Sequence, residues 1–479
     1  MKLKDLLHGI KVKEIVGDTN VEIESLSQNT NKIGKNCLFF CYKGVKFDGY
    51  DYIEDVEKKG AVAIVADKMI DTKLPVILVN DTRKIMPKIC NRFFGNVLKK
   101  VKLIGVTGTN GKTTTASLVF QLLNNSGRKA GFIGTGKIEF DGKVFEQNLT
   151  TPDTVDFFYL LVEMVKKDVL FVVMEVSAHA LDLNKLYGLK FEVGIFSNLS
   201  QDHLDYFKNM GKYAMCKLKF LKKRYCKHCI INTDDKYGEM FAKISDSLVA
   251  TYGIEKPARN FAIDLDLTLT KSSFVANVFD HIFDIGSNLL CKFNIYNELS
   301  AMVCAKILEI DDDVIVKTLQ NVKMIEGRMN FYKLKNGAVA VIDFAHTPEA
   351  LENVLSSLKN LGQKKVICVF GCGGDRDRLK RSKMGRLASV YADYVFVTSD
   401  NPRSEDPLKI IGDITDGIKK DNFEVEENRT RAIEKAIANS KKGDVILIAG
   451  KGAEKYQEIL GVKYDYCDEK VLKKYIIEN

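Results

Sequence analysis

Short apolar runs alternate along this chain with stretches whose apolar positions recur every three to four residues, the pattern of strands followed by helices. Residues 101–106 read as a buried strand and residues 115–123 behind them as a helix. Further buried strands are predicted at 132–134, 170–176, 193–196 and 229–231, each ending in polar residues. From 261 to 293 apolar and polar positions alternate, as in an antiparallel sheet with one wet face. Ahead of these, 37–41 and 61–65 are short strands with a helix between them, and 47–50 form a turn. Beyond them, strands at 339–342, 366–370, 395–398 and 445–448 are interleaved with helical patterns at 348–361 and 431–439.

This order predicts an α/β protein of three domains, a number that 479 residues also favour. The expected boundaries are 1–100, 101–327 and 328–479, with Lys99, Lys100 and Lys102 marking a linker. The central domain is expected to carry a mostly parallel sheet, and the C-terminal one a doubly wound, Rossmann-like fold.

Composition narrows the setting. No apolar stretch is long enough for a membrane span, and the N-terminus lacks the apolar core of a secretory signal, so a cytoplasmic protein is expected. Eleven scattered cysteines do not make a disulfide framework. Cys226-Lys227-His228-Cys229 resembles half a zinc site, but no second pair follows, and a loop entering a strand is the better reading. The formal charge of +9 is spread along the chain without an aromatic-laced basic stripe, which favours an acidic small substrate over nucleic acid.

Candidate chemistry sits at the strand tips, where open α/β sheets bind ligands. Val106-Thr107-Gly108-Thr109-Asn110-Gly111-Lys112-Thr113-Thr114 joins the first buried strand to its helix. Backbone amides and the helix dipole of such a turn face anionic oxygens. Lys112 adds charge, and Thr113 offers a hydroxyl to Mg2+. A strict phosphate loop has Gly where Val106 stands; here Gly105 and Gly108 serve instead. The bland alternative, a Gly-rich turn before an ordinary helix, fits the strand–turn–helix setting less well. Glu175 ends another strand, and Asp202, His203 and Asp205 follow a third. Each taken alone reads as a solvated strand end or a helix cap, but together beside a phosphate loop they point to a metal–nucleotide site. Lys217, by composition, is a helix lysine. In the third segment Gly371–Arg378, Asp400-Asn401-Pro402-Arg403 and Gly450–Glu454 each follow a strand, the last expected to open a helix. Forked arginines and a carboxylate there suit an amino acid.

At these residues the chain resembles the Mur ligases, the ATP-dependent amide-forming enzymes of peptidoglycan synthesis. The marks run the length of the chain: 108–114, 150–153, 174–179, 198–205, 293–297, 327–329, 343–348, 371–378 and 400–403. The resemblance implies ATP and Mg2+, with the central domain a P-loop-type ATPase between one for the uridine nucleotide and one for the amino acid. ATP is expected at Gly108, Thr109, Asn110, Gly111, Lys112, Thr113, Thr114, Asn294 and Arg328. It implies metal ligation by Thr113, Glu175, His203 and a carbamoylated Lys217, with Lys112, Glu175, His203 and Lys217 as the catalytic set. The uridine-linked muramoyl dipeptide is expected at Thr30, Thr150, Thr151, Ser177 and Lys185. meso-Diaminopimelate is expected at Arg376, Asp400, Asn401, Pro402, Arg403, Gly450 and Glu454. Asp-Asn-Pro-Arg is the family's mark for that amino acid, and lysine-adding relatives lack its Arg. Four positions differ from the family pattern: Asn29-Thr30-Asn31, Ala178, Lys185 and Ala453. The expected reaction is amide formation through an acyl phosphate, by a monomer. The alternatives are a paralogue adding L-lysine, a folylpolyglutamate synthase, which lacks the N-terminal domain and the Asp-Asn-Pro-Arg loop, and a non-catalytic nucleotide-binding partner.

Overall fold

The structure, a computed structural model, describes residues 1–44, 48–268, 271–362 and 364–477. Two compact units share the chain. Met1–Gly105, Arg128–Gly194 and Lys219–His228 form the first; Val106–Gly127, Ile195–Leu218 and Cys229–Asn479 form the second. The strands Lys102–Thr107, Phe191–Phe196 and Cys226–Asn232 each begin in the first unit and finish in the second.

The first unit opens with a five-stranded sheet, in the order Glu14–Val16, Val76–Leu78, Ala61–Ala66, Cys37–Phe40, Ser25–Ser27. All its neighbours are parallel except the Glu14–Val16 edge. The two predicted strands and the helix between them, Ile53–Lys58, are present, and Phe39, Ile53, Val56, Ile64 and Val76 share a core. The predicted turn at 47–50 lies partly outside the described residues; from Gly49 to Tyr52 the chain makes a 3-10 turn, with Asp48 accepting from the Tyr50 amide. The same unit pairs Ala130–Ile133 in parallel with Phe171–Glu175 and continues antiparallel through Gly136–Phe140 and Lys143–Gln147.

In the second unit the helix Lys112–Asn125 packs against Lys292–Ile307. The predicted alternating region forms Asn260–Leu267, Ser272–Val278 and His281–Ser287, an antiparallel run. The C-terminal part carries a six-stranded sheet in the order Asn330–Lys333, Val339–Asp343, Val445–Ala449, Val366–Phe370, Tyr394–Val397, Phe423–Val425. Only the Asn330–Lys333 edge is antiparallel. Its strands bear apolar side chains on both faces, so helices must cover both, which is why it is doubly wound. Val341, Cys368, Phe370, Val395, Val397 and Leu447 pack under Pro348–Asn360, Leu379–Tyr391 and Pro407–Thr415. Their neighbours Ile342, Ile367, Val369, Phe396, Ile446 and Ile448 pack on the other face under Arg429–Ala438.

Two expectations need correction. No helix opens at Gly450–Glu454; the chain goes into a hairpin, Tyr456–Ile459 with Val462–Asp465. Gly450 and Gly452 have φ of 111° and 53°, outside the helical region, and Leu460 and Gly461 both turn left-handed (49° and 80°), as a tight hairpin demands. The stretch Cys226–Cys229 is not a loop entering a strand but part of the strand itself, Cys226–Asn232, with both cysteines buried. All eleven cysteines are free. Among the described residues no helix is long and apolar enough to cross a membrane.

Candidate functional site

In the second unit the turn between strand and helix is short: Lys102–Thr107 ends at Thr107, and the helix starts at Lys112. Thr113 and Thr114 therefore lie in the first helical turn, where amides lack intrahelical partners. Side chains at the glycines of this turn would collide with what holds it. A Cβ on Gly108 would sit 1.9 Å from Ser197 Oγ, and one on Gly111 would sit 2.4 Å from Asn297 Oδ1. Asn198 grips the turn from the neighbouring strand tip. Its Oδ1 accepts from the Asn110 amide at 2.9 Å, and its Nδ2 donates to the Asn110 carbonyl at 3.1 Å. Thr109 Oγ1 accepts from the Ser200 amide at 3.0 Å.

Two lysines converge on one carbonyl. Lys112 Nζ donates to the Gly108 oxygen at 3.0 Å and to that of Thr109 at 2.7 Å, and Lys217 Nζ donates to Gly108 at 2.8 Å. Lys217 is fully buried, its ammonium 4.8 Å above the centre of the Tyr213 ring. Burial first, and then the positive charge of Lys112, push its pKa well below the ordinary lysine value. Arg328 Nη2 donates to Thr113 Oγ1 at 2.9 Å, with its guanidinium stacked over Phe344. Asn294 reaches the turn through Asn297, whose Nδ2 donates to Asn294 Oδ1 at 3.0 Å and whose Oδ1 accepts from Thr115. His203 stands at the head of a short helix, Leu204–Phe207, in the left-handed region (φ 56°). Its neighbour Asp202 is buried among His203, His346 and Lys380.

In the first unit, Glu175 closes the strand Phe171–Glu175 and is 1% exposed. Its Oε1 accepts from the Thr135 amide at 2.8 Å and its Oε2 from the Thr135 hydroxyl at 3.1 Å. Thr150 meets that hydroxyl at 3.1 Å, and Thr151 Oγ1 donates to the Glu175 carbonyl at 2.8 Å and accepts from the Ser177 amide at 3.0 Å. Four predicted residues thus cluster around Thr135, which sequence reasoning passed over although it follows a Gly at a strand tip. Lys185 pairs with Asp153 at 2.7 Å. Thr30 lies in the loop after Ser25–Ser27, its carbonyl accepting from Lys59.

The amino-acid residues expected in the third segment do converge, within the second unit. Gly374 lets the Asp400–Arg403 loop lie directly on the Gly-rich turn, because a Cβ there would be 1.9 Å from the Pro402 carbonyl. Arg403 Nη1 donates to the Gly374 oxygen at 2.6 Å, and its Nε to Glu458 at 3.2 Å. Arg376 is disfavoured as a cation by burial and then by the neighbouring Arg403. Both side chains flank Gly373, where a Cβ would sit 2.8 Å from Arg403 Nη1 and 3.8 Å from Arg376 Cγ, and two neighbouring guanidiniums favour a bound anion. Burial raises the Asp400 carboxyl, but Lys451 and Arg429 overcome it and hold the group below the usual range. Lys451, which sequence reasoning did not assign, is fully buried and ties Asn401 Oδ1 (3.0 Å) to Glu454 (3.1 Å). Asn401 Nδ2 donates to Glu454 at 2.8 Å.

Among the described residues no three His, Cys, Asp or Glu side chains converge as a metal cage. Mg2+ bound through nucleotide phosphates needs only one or two protein donors and keeps several waters, so the Thr113 hydroxyl and the His203 ring of the second unit would suffice for that ion without a cage.

A Gly-Lys-Thr turn at a strand tip, joined in one chain to a doubly wound segment with arginines at its strand ends, is the arrangement expected of an ATP-dependent ligase. The chain belongs to the Mur ligase family and is an amide-bond-forming enzyme. Residues 22–94 match the family's "Mur ligase family, catalytic domain", 106–305 its "Mur ligase middle domain" and 327–452 its "Mur ligase, glutamate ligase domain". The chain is 41% identical to the UDP-N-acetylmuramoyl-L-alanyl-D-glutamate–2,6-diaminopimelate ligase of Aquifex aeolicus, over 94% of this chain and 93% of that one. It is 41% identical to the enzyme designated 1 of the same name from Clostridium acetobutylicum, over 98% of each. A solved structure of a ligase of that name is 29% identical and superposes with a TM-score of 0.71 over 99% of this chain and 98% of the other.

Proposed function

We propose that this ligase joins meso-diaminopimelate to the γ-carboxylate of D-glutamate in UDP-N-acetylmuramoyl-L-alanyl-D-glutamate, consuming ATP, in peptidoglycan synthesis. The observation that carries the choice of amino acid is that Arg376 and Arg403 both flank Gly373, in a chain whose full-length relatives bear that name. A distal carboxylate on the incoming amino acid is the anion this pair favours.

The chemistry divides into two displacements. A γ-carboxylate oxygen attacks the γ-phosphorus of ATP; the new O–P bond forms as the bond to the bridging oxygen breaks, and ADP leaves. The amine then attacks the acyl carbon, inorganic phosphate leaves, and the amine proton passes to water. Lys112, the amides at the start of Lys112–Asn125 and Arg328 hold the phosphates and offset their charge. Thr113, Glu175, His203 and Lys217 as its carbamate would hold Mg2+, which would supply neutralising charge to the phosphoryl group. Carbamate formation joins the Lys217 amine to carbon dioxide with loss of a proton. A fully buried lysine pushed toward its neutral form beside Lys112 supports that reaction. Thr30, Thr150, Thr151, Ser177 and Lys185 receive the uridine-linked dipeptide, and Asp400, Asn401, Pro402, Gly450 and Glu454 the amino acid. Segment 1–100 serves the uridine nucleotide, 101–327 ATP and 328–479 the amino acid, in a cytoplasmic monomer.

Phosphate release from ATP with the purified dipeptide and a panel of amino acids tests the assignment. Release should require both substrates, be strongest with meso-diaminopimelate and rise with added bicarbonate. Preference for lysine would replace the amino acid, and no release with any amino acid would defeat the reading.

A further inference from the structure

Asp202 stands at a junction that the reaction as derived does not use. It is 5% exposed and in contact with three basic side chains from separate parts of the chain. Its Oδ2 lies 3.3 Å from His203 Nε2 and 3.8 Å from His346 Nε2, and its Oδ1 lies 3.5 Å from Lys380 Nζ. Lys380, in the helix Leu379–Tyr391, is itself buried. Oδ1 also accepts from the His203 backbone amide at 2.9 Å, which fixes the carboxylate relative to the ring it faces. His203 holds a left-handed backbone conformation that β-carbon sterics disfavour. Its ring meets Tyr213 edge to face, 6.2 Å between centres, and Tyr213 in turn underlies Lys217.

We propose that Asp202 is a positioning residue: its carboxylate fixes His203 in the Nε2–H tautomer, so that Nδ1 is the ring's lone-pair nitrogen. A carboxylate can only accept from the ring nitrogen it faces, and an imidazole held on one nitrogen by a carboxylate presents the other to a cation with raised basicity. Lys380 and His346 anchor the carboxylate from the C-terminal part of the same unit. The inference rests on the proposed role of His203 as a Mg2+ donor, but its first test is independent of any reaction.

The rival explanation is that Asp202 only neutralises a buried lysine. Replacing the pair with apolar side chains separates the two, since Asp202→Leu with Lys380→Met removes the acceptor without leaving a buried charge. Long-range 1H–15N spectra of the full-length 15N-labelled protein, with His203→Gln to assign the signal, read the tautomer directly. We expect Nε2–H at His203 in the wild type and in Lys380→Met, and a mixture or Nδ1–H in the double variant. The turnover number should fall about 10- to 100-fold in the double variant, as for other groups that orient a metal-bound histidine, and less than about threefold in Lys380→Met. A wild-type His203 in the Nδ1–H form overturns the proposal without any variant having to fold. So does an unchanged tautomer in the double variant, or an equal loss of turnover in Lys380→Met. A wild type that forms no amide would defeat the functional reading and leave the tautomer result standing.

Discussion

Arg403 offers the sharpest test of the amino-acid assignment. Its side chain is 18% exposed and its guanidinium is oriented by the Gly374 carbonyl at 2.6 Å and Glu458 at 3.2 Å, so little reorganisation is needed to receive a carboxylate. Hydrogen bonds to charged groups contribute about 1.5–3 kcal/mol each. A two-bond fork lost from the distal carboxylate is therefore worth about 3 kcal/mol at the lower end. That corresponds to about 150-fold in kcat/KM for meso-diaminopimelate. L-Lysine has no distal carboxylate, and its kcat/KM should change by less than about threefold. Arg403→Asn removes charge and fork together; Arg403→Lys keeps the charge and should recover only part of the loss. The assay is ADP release at saturating ATP and dipeptide, with each amino acid titrated against wild type and both variants. Equal losses for the two amino acids would refute the reasoning, because they would mean that Arg403 merely holds the Gly-rich turn in place.

Three further outcomes follow from buried charges. In protein freed of carbon dioxide, where Lys217 is a plain amine, its folded pKa lies below the unfolded 10.5, so the unfolded chain binds more protons across that interval and wild-type stability rises with pH. Lys217→Met should therefore gain most over wild type in urea unfolding at pH 6 and least near pH 10; a constant difference would contradict this. Glu298 behaves oppositely: burial pushes it up to about 8 from 4.5, so wild-type stability falls as pH rises through that window. The ceiling is about 5 kcal/mol, and Glu298→Gln should flatten the profile; parallel profiles would exclude the shift. Arg429 and Asp468 form a pair with both side chains fully buried, 2.8 Å apart. Arg429→Met should cost about 3–5 kcal/mol in denaturant unfolding, and adding Asp468→Leu should recover much of it; equal stability of the single and double variants would show that the unpaired charge is not the cause.

Strands were legible wherever apolar side chains run unbroken. Val366–Phe370 and Val445–Ala449 were readable almost to the residue, because both of their faces are buried. The Gly108–Lys112 turn was equally readable, since its chemistry is local. The hairpin at Tyr456–Asp465 was not. Its strands are half-exposed or exposed and carry no clean alternation, so the glycines at 450 and 452 read as the entry to a helix. The Asp202 junction was invisible for a different reason. Its partners lie 144 and 178 positions along the chain, and nothing in the sequence around His346 or Lys380 reports a contact made only through the tertiary fold. Thr135 and Lys451 carry hydrogen bonds of the same standing as the assigned residues, but single residues after a strand have no signature of their own.

The interleaved strands have a consequence for biosynthesis. Neither unit is a continuous stretch of polypeptide: the first is incomplete until residue 228 has been made, and the second draws on residues 106–127 yet needs the distant C-terminal half. A ribosome therefore releases no finished unit during the first 228 residues. A truncation after residue 194 strands the first unit without its last segment and leaves residues 106–127, with the helix Lys112–Asn125, as the single piece of the second.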